Sequence, residues 1–71
     1  MNLTKDEKKV IKVLKDLEDN WPESLWLFSA GGGLNIMKKD EENRRAYLTS
    51  GEVDPDYIVL TIDIENDGGD W

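Results

Sequence analysis

Apolar residues recur every three or four positions before Pro22 and at alternate positions after it. Side chains share a face every 3.6 residues in a helix and every two in a strand, so this change of period dictates a helix followed by strands. Val10, Ile11, Val13, Leu14, Leu17 and Trp21 form the helical set, and Lys5, Lys8, Lys9, Lys12 and Lys15 cover the opposite side. Thr4-Lys5-Asp6-Glu7 is a capping-box pattern, in which the Thr4 hydroxyl accepts from the Glu7 amide and the Glu7 carboxylate accepts from the Thr4 amide. Pro22 disfavours a helical Trp21, so the helix runs from about Thr4 to Asn20. Asp16, Glu18 and Asp19 fall at its C-terminal end, where the helix dipole prefers cations.

After Pro22, residues 24–30 read as a strand, Gly31-Gly32-Gly33 as a turn and residues 34–39 as the returning strand. Residues 57–64 form the clearest strand, with Ile58, Leu60, Ile62 and Ile64 on one face. Arg44-Arg45-Ala46-Tyr47-Leu48-Thr49 is a candidate fourth strand, and Pro55 is preset for a turn. The expected fold class is α+β: one N-terminal helix packed on a three- or four-stranded antiparallel sheet. The expected core is Val10, Leu14, Leu17, Trp26, Ile58, Leu60 and Ile62, with Trp21 closing the helix against the sheet. Seventy-one residues give room for one domain, residues 1–71, with 65–71 as a candidate flexible tail.

Composition narrows the function. The chain has neither cysteine nor histidine, which removes disulfides, thiolate metal sites, the commonest general base and the commonest metal ligand. Ser24, Ser29 and Ser50 have no histidine to activate them, and the lysines fall on polar faces. The expectation is a protein that is not an enzyme and carries no cofactor. No stretch approaches the roughly 20 apolar residues of a membrane span, and residues 1–6 have no apolar signal core, so a cytoplasmic location is expected.

The net charge is −7, and its placement matters. Residues 1–49 are balanced, whereas residues 50–71 hold Glu52, Asp54, Asp56, Asp63, Glu65, Asp67 and Asp70 and no base. Direct binding to nucleic acid is disfavoured, because phosphate contacts need clustered Lys and Arg. The acidic end serves either solubility or a basic partner. Trp71 follows Gly68-Gly69-Asp70 and is either a latch on the sheet or an exposed aromatic anchor. The expected partner-binding residues are Asp54, Asp56, Asp67, Asp70 and Trp71.

Two further patterns carry less. Gly31-Gly32-Gly33 lacks the lysine of a phosphate-binding loop and precedes a strand, so it reads as a hairpin turn. Asp63-Ile64-Glu65-Asn66-Asp67-Gly68 matches the first half of a calcium loop, but no closing bidentate Glu and no exiting helix follow within the chain. That leaves weak divalent-metal binding as an alternative function.

The segments Trp21-Pro22-Glu23-Ser24-Leu25-Trp26-Leu27-Phe28, Val53-Asp54-Pro55-Asp56-Tyr57 and 63–71 together resemble small hypothetical proteins encoded by phages and prophages of Gram-positive bacteria. The resemblance covers nearly the whole chain and implies an accessory protein made inside a bacterial cell. The functional expectation is a small acidic protein that binds a host or phage macromolecule, with a protein as its partner. The alternative is an acidic nucleic-acid mimic that inhibits a DNA- or RNA-binding protein by placing carboxylates where phosphates would lie. A monomer is favoured over a homodimer, on the reasoning that Lys38, Lys39, Arg44 and Arg45 blunt strand edges.

Overall fold

A computed structural model describes residues 1–68. Helix α1 spans Lys5–Asp19 and is followed by three strands, β1 (Leu25–Ala30), β2 (Gly33–Lys38) and β3 (Ile58–Ile62). They form one antiparallel sheet in the order β1-β2-β3. The α+β class and the N-terminal helix are as the apolar periods require.

The capping box forms in full: the Glu7 amide donates to Thr4 Oγ1 at 3.1 Å, and the Thr4 amide donates to Glu7 Oε1 at 2.8 Å. Asn20 caps the other end, its side-chain amide donating to the Asp16 carbonyl at 2.9 Å. Lys15 pairs with Glu18 one turn on, which offsets part of the acid at this terminus. Gly31 and Gly32 take φ of 61° and 79°. Two successive positive φ values are what a tight hairpin turn with right-handed strand twist needs, and only glycine adopts them without strain.

Pairing in the sheet sets two faces, because residues directly opposite one another point the same way. Leu27 pairs with Ile36, which pairs with Leu60, and Ser29, Leu34 and Ile62 line up beside them. Trp26 pairs with Met37, which pairs with Ile58, on the other face. The register shifts between Ile36 and Met37, so Val59 is an extra residue on β3. This bulge moves Ile58 off the Leu60–Ile62 face on which simple alternation places it.

The connection from β2 to β3 crosses the Trp26–Met37 face and covers it. Asp40 opens it by accepting from the amides of Glu42 and Arg44 at 2.9 and 3.0 Å. The Arg44–Thr49 segment is not a strand; Tyr47 makes a single antiparallel bridge to Val53. A minimal hairpin closes there through Leu48 N to Glu52 O (2.7 Å) and Asp54 N to Ala46 O (3.0 Å). Pro55–Tyr57 then forms a 3-10 turn that leads into β3, so the last strand starts one residue later than expected.

The core differs from the expected one. Among the described residues the buried apolar ones are Trp26 and Met37, and Met37 is fully enclosed. Of the expected core only Trp26 is buried; Val10, Leu14, Leu17, Ile58 and Leu60 are exposed, and Ile62 is half-buried. Trp21 is exposed as well, its indole N–H donating to the Leu25 carbonyl at 2.9 Å. The reason is that α1 does not pack on the sheet: every one of its residues is exposed. The radius of gyration is 14.5 Å and the long dimension 46 Å. A compact chain of this length would have a radius of gyration of about 11 Å.

Candidate functional site

Two apolar surfaces are left uncovered. The first is the stripe on α1. Leu3, Val10, Val13, Leu14 and Leu17 recur at helical spacing, and all five are exposed, Leu14 at 59%. The second is the Leu27–Ile36–Leu60 face of the sheet, on which Leu27 and Leu60 are 48% and 54% exposed and no residue is buried. The sequence displayed both surfaces as apolar periods, and the same signal assigned them to one core. What sequence alone did not carry is that they stay apart.

The connector between them is knitted by its own hydrogen bonds. Leu25 N donates to Pro22 O at 3.3 Å, the Trp21 indole N–H reaches Leu25 O, and Lys39 N donates to Ser24 O at 2.8 Å. These bonds tie the start of β1 to both the linker and the end of β2, so the helix leaves the sheet from a fixed point.

The acidic residues expected to bind a partner are placed as follows. Asp54 caps the 3-10 turn, its Oδ1 accepting from the Asp56 amide at 3.0 Å, which gives it a local structural role. Asp56 is exposed beside it. Asp67 lies beyond the other end of β3, with its Oδ1 3.3 Å from Ser29 Oγ. The five residues of β3 separate the two groups, roughly 16 Å of strand. Asp54 and Asp56 are thus together and Asp67 is apart. Asp70 and Trp71 lie outside the described residues.

The start of the expected tail is docked. Asn66 Oδ1 accepts from Ser29 Oγ and from the Gly68 amide (2.8 Å), and its side-chain amide donates to Ile64 O (2.6 Å) and Gly32 O (3.3 Å). Gly68 has φ 72°, and a Cβ there would sit 3.4 Å from Gly32 N. The half calcium loop is therefore spent on holding the β1–β2 turn, and among the described residues no three acidic side chains converge to hold a metal ion. Each of these bonds is worth roughly 0.5–1.5 kcal/mol net. Asn66→Ala removes all four and is expected to lower the melting temperature by roughly 8 °C or more, at about 4–8 °C per kcal/mol for a domain this small. A melting curve superimposable on the parent's would show that the segment is not held by Asn66.

A groove lined by Phe28, Tyr47, Leu48, Val53 and Pro55 runs between the sheet and the covering hairpin. Among the described residues its one charged lining group is Glu52. No helix of the described residues is long and apolar enough to cross a membrane. No protein-family model, curated protein or solved structure matches the chain.

Proposed function

We propose that this protein is a non-catalytic accessory factor, made in a bacterial cell by a phage or prophage, that acts by binding another protein. The observation that carries this reading is the pair of uncovered apolar surfaces on α1 and on the Leu27–Ile36–Leu60 face. Contiguous exposed apolar area on a small chain marks a contact surface, because leaving it in water forgoes on the order of 25 cal/mol per Å². An amphipathic helix held clear of its own domain suits recognition by its apolar anchors at three- and four-residue spacing. Catalysis gains no support from a chain without histidine or cysteine, whose described carboxylates are exposed or bonded to local backbone amides.

A second reading, the acidic nucleic-acid mimic, is favoured by one observation: residues 50–71 carry the whole net charge. Such a surface speeds encounter with a basic groove and makes binding salt-sensitive. The separation of Asp54 and Asp56 from Asp67 weakens it, since a phosphate row needs its charges along one line.

The test is recovery of partners from bacterial lysate with the tagged parent, with Leu14→Asp, and with the double variant Asp54→Asn/Asp56→Asn. A partner recovered by the parent and lost with Leu14→Asp is the expected outcome. A basic nucleic-acid enzyme released by moderate salt and lost only with the neutralised acids would favour the mimic. Metal-dependent turnover abolished by Asp63→Asn would overturn both readings.

A further inference from the structure

We propose that the contact surfaces are filled by a second copy of this chain: α1 of each copy covers the Leu27–Ile36–Leu60 face of the other, giving a two-fold dimer by helix exchange. The inference rests on the reading that these surfaces bind protein; it names the occupant of both, so a host or phage partner of the dimer docks on a surface that the exchange leaves free.

A helix of 15 residues is marginal alone in water, and Val10, Ile11 and Val13 are β-branched residues that weaken it further. Helices of this kind owe their stability to packing of the apolar face, and no residue of α1 is buried. The sheet has the reciprocal deficit. The β2–β3 connection covers Trp26 and Met37 on one face, whereas on the other face Leu27 and Leu60 are exposed and Leu34, Ile36 and Ile62 only half-buried. Helix on sheet is the ordinary way to complete such a layer, and both halves of it exist within this one chain.

The connector argues for exchange. Pro22 keeps Trp21 out of the helical region, and the bonds among Trp21, Pro22, Ser24, Leu25 and Lys39 hold the linker in the form that projects α1 away from its own sheet. Exchange leaves all of these bonds in place. The area is adequate. Stripe and sheet face together present roughly ten aliphatic side chains, on the order of 80 Å² each, so each copy buries about 800 Å², one side of a standard protein interface. A two-fold exchange uses both surfaces of both copies and is closed, leaving no apolar face to propagate.

The edge charges do not oppose it. Lys38 ends β2, the middle strand, and Arg44 and Arg45 lie outside the sheet. The reasoning that favoured a monomer therefore does not apply to this fold.

The experiment is a mass measurement by sedimentation across a hundredfold concentration range, joined to cross-linking. The chain has no cysteine, so single cysteines report without background. Leu14→Cys and Leu60→Cys chains are oxidised separately and after mixing. A mass that doubles with concentration, and a disulfide that forms in the mixture between the two different chains, is the expected result. A doubled mass with disulfides only between two Leu14→Cys chains would mean helix-to-helix pairing and overturn the exchange. A monomer mass at every concentration would overturn the dimer, and Leu14→Asp then separates the two remaining cases. If it lowers the monomer's melting temperature, α1 closes on its own sheet and the protein-binding reading falls too. If melting is unchanged, the stripe is kept for another protein and only the self-association is lost.

Discussion

Met37→Ala is expected to lower the melting temperature by roughly 8–40 °C. Met37 is fully buried near the C-terminal end of the middle strand, between Trp26 and Ile58. Truncating a buried Met to Ala costs about 2–5 kcal/mol, from lost transfer energy and the cavity left behind. A chain of this length has only about 4–10 kcal/mol of stability in all. At about 4–8 °C per kcal/mol the expected range follows. Val59→Ala is the control. Val59 is the bulge residue and 60% exposed, and its truncation is expected to change stability by no more than about 0.5 kcal/mol. Thermal unfolding followed by circular dichroism checks both. Equal losses for the two would mean that the enclosed site is not where stability is concentrated.

Met37 also shows where sequence reasoning stopped. The alternation Leu34-Asn35-Ile36-Met37 announced a strand with two faces. It did not say which face is enclosed. Ile58, Leu60 and Ile62 made their face look like the core, because it is the more apolar one. The enclosed face is the other, with Asn35 and Thr61 on it, because the β2–β3 connection must cross one side of the sheet and crosses that one. Asn35 and Thr61 are accommodated by bonding each other across the strands, Thr61 Oγ1 donating to Asn35 Oδ1 at 2.7 Å.

Local chemistry was legible throughout. The capping box, the glycine turn and the start of the helix are decided by residues within four positions of one another, and all three form as expected. The Arg44–Thr49 segment was harder, because its apolar residues serve a different end. Tyr47 and Arg45 lie against Trp26 and so act as a lid, with one bridge to Val53 in place of a ladder. The docking of Asn66 on the hairpin was invisible for a similar reason. Its bonds reach Ser29 and Gly32, more than 30 positions away, and no periodicity encodes them.

For the candidate site, the apolar stripe was legible and its exposure was not. Periodicity reports that a face wants cover, and it is silent on whether the cover comes from the same chain. The acidic end was legible as charge. Its division by β3 into Asp54 and Asp56 at one end and Asp67 at the other depends on topology. A helix stripe and a sheet face that both need cover, with a linker bonded so as to hold them apart, form one physical problem, and a second copy solves both halves together.

The lid over Trp26 gives the second large effect. Trp26 is 8% exposed, with Phe28 at 5.8 Å and Tyr47 at 6.4 Å between ring centroids and the Arg45 guanidinium 4.5 Å above its ring. Its indole N–H is buried and has no hydrogen-bond partner among the described residues. Two opposed terms therefore meet in one side chain. The ring supplies packing whose loss in Trp→Ala costs about 3–5 kcal/mol. The orphan donor costs about 1–3 kcal/mol of desolvation that no bond returns. Trp26→Ala removes both and is expected to destabilise by about 2 kcal/mol, and by about 4 kcal/mol at most, since the packing term is the larger. Trp26→Phe keeps a ring for Tyr47, Phe28 and Arg45 and removes the orphan donor, so its cost is expected to be under about 1.5 kcal/mol, set by the smaller volume alone. Chemical denaturation of the three proteins decides the matter, read as midpoints at unchanged slope. If Trp26→Phe costs as much as Trp26→Ala, the indole N–H is bonded in solution, to water or to a partner, and the enclosure at this site is less complete than its burial implies.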